Sequence, residues 1–261
     1  STYICHPQLA NNEISGPTIA TFLAKHFNNR NNNYSMRFLF LPETIGSIAS
    51  IHKNLKKLKK NTIAGYVLTC VGDEGNFSLI PSIDKDSISN TIAQKIFIKE
   101  KVKFKKYSFL DRGSDERQFN APGVNLPIAC ITRTKYGSYP EYHTSADNFD
   151  IVTNKGLKKS FIIIKRIIEE IQNLKIPTPN IICEPFLSKK KLYPDFSTIK
   201  GVKHNSKISA GIRDLNSQSL LDFYMYCNGF RDIKNIATKI NITQQKALIY
   251  YKILKKNKII Y

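Results

Sequence analysis

His6, Asn12 and Glu13 stand close together in the stretch Cys5-His6-Pro7-Gln8-Leu9-Ala10-Asn11-Asn12-Glu13-Ile14-Ser15-Gly16. An imidazole and a carboxylate held together are potential ligands of a transition metal. Glu43 comes directly after the apolar run Met36-Arg37-Phe38-Leu39-Phe40-Leu41 and Pro42, where rigid structure would anchor a general base. His143 lies in a long polar loop, Tyr136 to Asn148. A hydrolytic zinc needs two or three His or carboxylate ligands, an open position for water, and a nearby carboxylate as base. These residues could supply that set. Cys5 beside His6 lacks the further motif that a thiol nucleophile requires.

The elements that must position these residues are legible from pattern. Thr2-Tyr3-Ile4-Cys5 is β-branched and aromatic and reads as a strand. Ser15-Gly16-Pro17 is a helix-start signal, and Ile19, Phe22, Leu23 and Phe27 follow at helical spacing. The chemistry therefore sits between a strand end and a helix start, the rim where open α/β sheets bind ligands. Met36–Leu41 and Ala64–Val71 read as buried strands, with a helix from Thr44 to about Leu55 between them. Phe77–Ile80 reads as an edge strand, Ser87–Ile98 as a helix and Val102–Phe109 as a strand. Ser114–Phe119 starts a short helical turn, and Leu126–Arg133 is a further strand. The helix from Lys155 to Leu174 is amphipathic, with Leu157, Phe161, Ile164, Ile168 and Ile171 on one face. Alternating strands and helices imply an α/β fold with a mainly parallel sheet and helices on both faces.

After Pro177-Thr178-Pro179 the pattern changes. Phe186 to His204 reads as a linker or arm, followed by helices at Ser217–Cys227, Asp232–Ile240 and Thr243–Lys256 and a terminal strand at Ile259–Tyr261. Three short helices and a strand suggest a small winged-helix-like α domain. The expected division is an α/β domain over residues 1–184 and this second domain over 185–261.

The 261 residues, 41% hydrophobic and 23% charged, describe a globular rather than a disordered chain. No run is apolar enough for a transmembrane span, since Phe161-Ile162-Ile163-Ile164 is broken at once by Lys165-Arg166. Five scattered cysteines without a CxxC fit reduced thiols and a cytoplasmic location. The net charge of +20 raises a nucleic-acid partner, and from Phe186 onward 15 Lys and Arg face 4 Asp. The excess is largely Lys beside many Asn and Ile, a compositional bias that weakens the inference. Asp214, Asp222 and Asp232 among the last helices argue against a DNA-reading surface.

Several segments carry a family resemblance. Ser1–Pro7, Ala10–Pro17, Leu41-Pro42-Glu43-Thr44-Ile45-Gly46-Ser47, Ser114-Asp115-Glu116-Arg117 and Tyr142-His143-Thr144-Ser145-Ala146-Asp147-Asn148 resemble, in the same order, bacterial aminopeptidase-like proteins found with surface-polysaccharide biosynthesis genes. These are distant relatives of zinc aminopeptidases. The resemblance implies a zinc-aminopeptidase-like α/β fold, a C-terminal winged-helix-like domain, and an N-terminal part preceding Ser1, so that this chain would be a fragment. It carries over His6 and His143 as metal ligands and Glu43 as catalytic base, with Asp115 and Tyr142 as substrate-binding residues. Where the two-zinc enzymes have a bridging Asp, this chain has Asn12. Where they have a Glu-Glu pair it has Glu43-Thr44, and where they have a strand-end Asp it has Thr69, with Asp73 further on. Neutral side chains cannot hold a second cation as carboxylates do, so the expectation is one Zn²⁺ on His6, His143 and an oxygen of Asn12 or Glu13.

The reading is thus a zinc-dependent aminopeptidase-like hydrolase of an amide or peptide bond, linked to polysaccharide or glycoconjugate biosynthesis. Its substrate would be a peptide or an aminoacyl or sugar conjugate. The alternatives are a non-catalytic descendant that binds such a ligand, and a winged-helix nucleic-acid-binding regulator.

Overall fold

The computed structural model describes residues 1–190, 192 and 215–261. The chain divides into two compact units, Ser1–Asn173 and Leu174–Tyr261, so the division falls earlier than the 184/185 boundary expected from the sequence.

In the first unit, β3 (Gly65–Leu68), β6 (Ile128–Thr132), β4 (Phe77–Ile80) and β5 (Phe104–Lys106) form a sheet in the order β3-β6-β4-β5. The β3–β6 and β4–β5 pairs are parallel and β4–β6 is antiparallel. β1 (Thr2–Tyr3) pairs in parallel with β2 (Phe40–Leu41). The two sheets are joined: Ser1 donates to the Tyr66 carbonyl at 2.8 Å, and Leu68 donates back to the Ser1 carbonyl at 2.9 Å. That is the exchange of a parallel ladder. The sheet is therefore mixed and mainly parallel.

Every residue of β4 and β6 is buried, as expected of strands covered on both faces. On one side Val67, Ile80, Ile128 and Cys130 pack with Ile51 and Leu58 of α2 (Ile45–Asn61) and with Phe119 of α4 (Glu116–Phe119). On the other, α1 (Ser15–Asn28) packs on α5 (Asn154–Gln172), and α5 on α3 (Ile88–Lys99). The buried stripe of α1 is Ile19, Leu23 and Phe27, while Phe22 is exposed. On α5 it is Ile163, Ile164, Ile167 and Ile171, with Leu157, Phe161 and Ile168 at its half-buried margin.

Some strands are shorter than their apolar runs. The run Met36–Leu41 is strand only at Phe40–Leu41, because a ladder exists only where Thr2–Tyr3 provides a partner. Val102–Phe109 is strand at Phe104–Lys106, and Phe109–Asp111 is a 3₁₀ turn.

The second unit contains α6 (Leu215–Met225), α7 (Ile233–Lys239) and α8 (Gln244–Lys256). Leu220, Phe223, Tyr224, Ile236 and Ala247 lie in its core, and Ile253 is half-buried against it. The terminal segment pairs antiparallel, Ile260 with Pro179, and Asn180 donates to the Ile259 carbonyl at 2.9 Å. Asp232 and Thr243 cap α7 and α8 through their side chains. Most of the linker expected between Phe186 and His204 lies outside the described residues, as does Asp214.

One glycine fixes how closely the site-bearing helix approaches the sheet. A Cβ at Gly16 would overlap the Leu68 carbonyl oxygen and Thr2 Oγ1. Gly16→Ala is expected to destabilise the first unit by about 1–3 kcal/mol, read as a lowered urea midpoint.

Candidate functional site

Three polar segments, which follow β1, β2 and β6, meet near the C-terminal end of β3. The first begins beyond β1, at Ile4-Cys5-His6, and runs into a one-turn π-helix, Ala10–Ile14, that leads directly into α1. Such turns are rare and concentrate at functional sites. Here it buries Ala10, Asn11, Asn12 and Glu13. The Glu13 carboxylate accepts from the Cys5 N–H at 2.7 Å and from the Asn12 side-chain amide at 3.2 Å, and lies 3.1 Å from His6 Nδ1. In the neutral tautomer that donates from Nδ1 to Glu13, the other ring nitrogen is left as an acceptor. The His6 side chain is 56% exposed against 2% for Glu13, so a buried carboxylate orients an accessible imidazole.

The second segment is Pro42-Glu43-Thr44. The Glu43 N–H donates to Cys5 Sγ at 2.8 Å, and the Thr44 N–H to Asp115 Oδ1 at 2.8 Å. Thr44 has φ 61° and ψ −69°. A β-branched residue at positive φ is strained and persists only where its surroundings hold it. Burial pushes the Glu43 carboxyl up to about 7; the Asp115 charge adds to this, Arg117 opposes it, and Glu13 and Glu116 add further.

The third segment carries His143, at φ 57°. Its ring stacks on Tyr142, with centroids 4.0 Å apart, and faces His6 at 5.8 Å. Tyr139 meets Tyr142 edge-on. Asp147 ties this loop to the first: its carboxylate accepts from the Asn11 N–H at 2.6 Å, the Asn12 N–H at 3.0 Å and the Tyr139 hydroxyl at 3.2 Å. Cys70, which follows β3, lies 3.6 Å from both Asn12 Oδ1 and the Tyr139 hydroxyl, and burial pushes its thiol up to about 12. Burial likewise raises Tyr142 to about 12, helped by the charges of Cys70, Glu43 and Glu13.

The structure brings His6, Glu13, His143 and Tyr142 into one group, and the Glu43 N–H joins it through Cys5 Sγ. Other roles read from the sequence change. Asp115 is fully buried and turned to the Thr44 turn, so it is not placed to touch substrate. Asn12 is 2% exposed, its Oδ1 lying 3.4 Å from the Tyr3 hydroxyl and its amide donating to Glu13. Asp73 accepts from the Asn11 amide and from Thr134 Oγ1. The metal set His6, Asn12, Glu13 and His143 is therefore not assembled. Two imidazoles face each other, but Glu13 is engaged as the orienter of one, and Asn12 points inward. Among the described residues no three His, Cys, Asp or Glu side chains are grouped to hold a metal ion. The donors do not fit a resident zinc. Asp147, Asn11 and Tyr139, given no role from the sequence, turn out to join the loops; Asp147's place four residues after His143 was their one signal.

Residues 1–174 match a family described as "Domain of unknown function (DUF4910)". The chain belongs to this family. It is 40% identical over 194 residues to a Clostridium acetobutylicum protein named "Putative polysaccharide biosynthesis protein with aminopeptidase-like domain", covering 74% of this chain and 44% of that one. The chain thus spans less than half the length of that relative. A crystal structure of a "putative peptidase" from Clostridium acetobutylicum matches all of this chain and 56% of its own, at 31% identity and a TM-score of 0.66. A zinc aminopeptidase from Bacillus subtilis matches 65% of this chain and 45% of its own, at 16% identity and a TM-score of 0.54. The fold is aminopeptidase-like. Among the described residues no helix is long and apolar enough to cross a membrane.

The raised Glu43 carboxyl makes stability depend on pH. The native state holds this proton up to about 7, whereas an ordinary Glu loses it near 4.5. The resulting stabilisation is full below 4.5 and is lost as pH rises through 7. Glu43→Gln is therefore expected to raise Tm by a few degrees at pH 8 and to change it little at pH 4, measured by calorimetry at both.

Proposed function

We propose that the first unit is an aminopeptidase-type cleft that cleaves an amide in a peptide or an aminoacyl or sugar conjugate, with Glu43 moving the proton. The observation that carries this reading is Glu43 itself. Its carboxyl is held half-buried beside the two facing imidazoles' segments and titrates near neutrality, the range in which one group both takes and returns a proton efficiently. Ionised, Glu43 accepts a proton from the attacking water. Protonated, it delivers that proton to the leaving nitrogen. His6, oriented by Glu13, presents a ring nitrogen that can accept from the substrate or the water. Tyr142 adds a hydroxyl and an aromatic face. The concentration of Glu13, Glu43, Asp115 and Glu116 in a chain of net charge +20 favours a substrate with a free amine.

The zinc that the resemblance implies finds no donor set among the described residues, so no step is assigned to a metal. Asn12, Thr44 and Thr69, standing where the resemblance has carboxylates, favour a second reading in which the cleft binds such a ligand without cleaving it. The link to polysaccharide or glycoconjugate biosynthesis is a proposal drawn from the named relative. The cytoplasm remains the proposed compartment on the five unpaired thiols. The helical unit is proposed as a docking module; the nucleic-acid role draws no support from the peptidase-like relatives.

Hydrolysis of a panel of aminoacyl amides and N-aminoacyl amino sugars tests the reading. Glu43→Gln is expected to lower kcat/KM by about 10²-fold or more. Saturable binding of the same compounds without turnover by the native chain would establish the binding reading instead.

A further inference from the structure

We propose that Asp115 is a positioning residue for Glu43: by accepting the Thr44 N–H it holds the strained turn that aims the Glu43 carboxylate into the cleft. The inference rests on the reading of Glu43 given above. Thr44 adopts φ 61°, and the Ile45 N–H closes back on the Glu43 carbonyl at 2.7 Å. Left alone, a threonine relaxes from that region, and the Glu43 side chain would swing with the backbone. Three contacts oppose this. Thr44 N–H donates to Asp115 Oδ1 at 2.8 Å, Ser47 Oγ lies 3.0 Å from the same oxygen, and Arg117 donates to Thr44 Oγ1 at 2.7 Å. Asp115 is fully buried and its second oxygen has no hydrogen-bond partner. A buried carboxylate left half-satisfied is costly, and the Thr44 and Ser47 donors are what hold it there.

The positioning role includes charge. The charged groups around Glu43 are Asp115, Glu116 and Arg117 from the α4 side and Glu13 from the π-helix. Cys5, Tyr3 and Tyr142 also lie within its field. Asp115 is the strongest of the charges, so one residue both fixes the direction of Glu43 and keeps its proton affinity high.

Two substitutions separate these effects. Asp115→Asn keeps an oxygen able to accept from Thr44 but removes the charge, whereas Asp115→Ala removes both. Carbon-13 NMR titration of the Glu43 carboxyl, assigned by its absence in Glu43→Gln, reads the charge, and hydrogen exchange at the Thr44 amide reads the turn. Neither needs turnover, so the result stands even if no amide is cleaved. The Glu43 midpoint should fall in Asp115→Asn while Thr44 stays protected. In Asp115→Ala, Thr44 exchange should speed up about tenfold, with β6 amides unchanged. An unmoved Glu43 midpoint in Asp115→Asn overturns the proposal, as does unaltered Thr44 protection in Asp115→Ala. If the alanine variant does not fold, the asparagine titration alone decides. Where the amide panel shows turnover, Asp115→Asn should also shift the acid limb of kcat/KM downward, an effect that a purely structural role would not produce.

Discussion

The Asp147 carboxylate is the interaction on which the cleft depends. It is fully buried and accepts the Asn11 and Asn12 N–H groups, which open the π-helix and would otherwise be orphaned. The same residue accepts the Ala10 N–H at its backbone carbonyl, 2.9 Å away. These bonds join positions more than a hundred residues apart. They hold the His143 loop against the His6 loop and leave the imidazoles 5.8 Å apart. The negative charge also suits the positive end of the helix that follows. Asn11 extends the joint by donating to Asp73 at 3.0 Å and accepting the Gly72 N–H at 2.9 Å. The rim beyond β3 is thereby fixed to the same turn.

Strain and charge are concentrated around this joint. Thr44, Cys70 and His143 all adopt positive φ, and each lies on a different segment of the cleft. By contrast, Lys101, Asn241 and Lys258 take the same region just past helix ends, where a left-handed residue is an ordinary stop. Strained residues in such places are sustained only by surrounding contacts, as Asp115 sustains Thr44. The acidic residues show a parallel division of labour. Asp147 and Asp73 are satisfied by N–H and O–H donors and serve architecture, whereas Glu43, half-buried and beside the Asp115 charge, holds a proton near neutral pH.

His6 and His143, whose rings lie 5.8 Å apart, were legible as neighbours because each sits in a polar segment that follows an apolar strand. The strand-and-helix alternation likewise marked out the α/β architecture, and the family resemblance supplied its aminopeptidase-like form. What the residues could not disclose is the direction of side chains. A single π turn decides that Glu13 reaches back to His6 while Asn12 turns toward Tyr3, and no periodicity encodes that turn. Asp115 was carried over by the resemblance as a substrate contact, yet tertiary packing buries it completely. Strand lengths were overestimated at Met36–Leu41 because apolar content marks burial, whereas a strand requires a partner backbone.

The proposed amide-cleaving reading rests on Glu43 as its proton carrier. The most direct test is the pH profile of kcat/KM for the best substrate of the amide panel, measured on the native chain from pH 5 to 9. The account predicts an ascending limb centred near 7, set by ionisation of Glu43. A rate that is flat across that range, or one whose acid limb survives intact in Glu43→Gln, would contradict it.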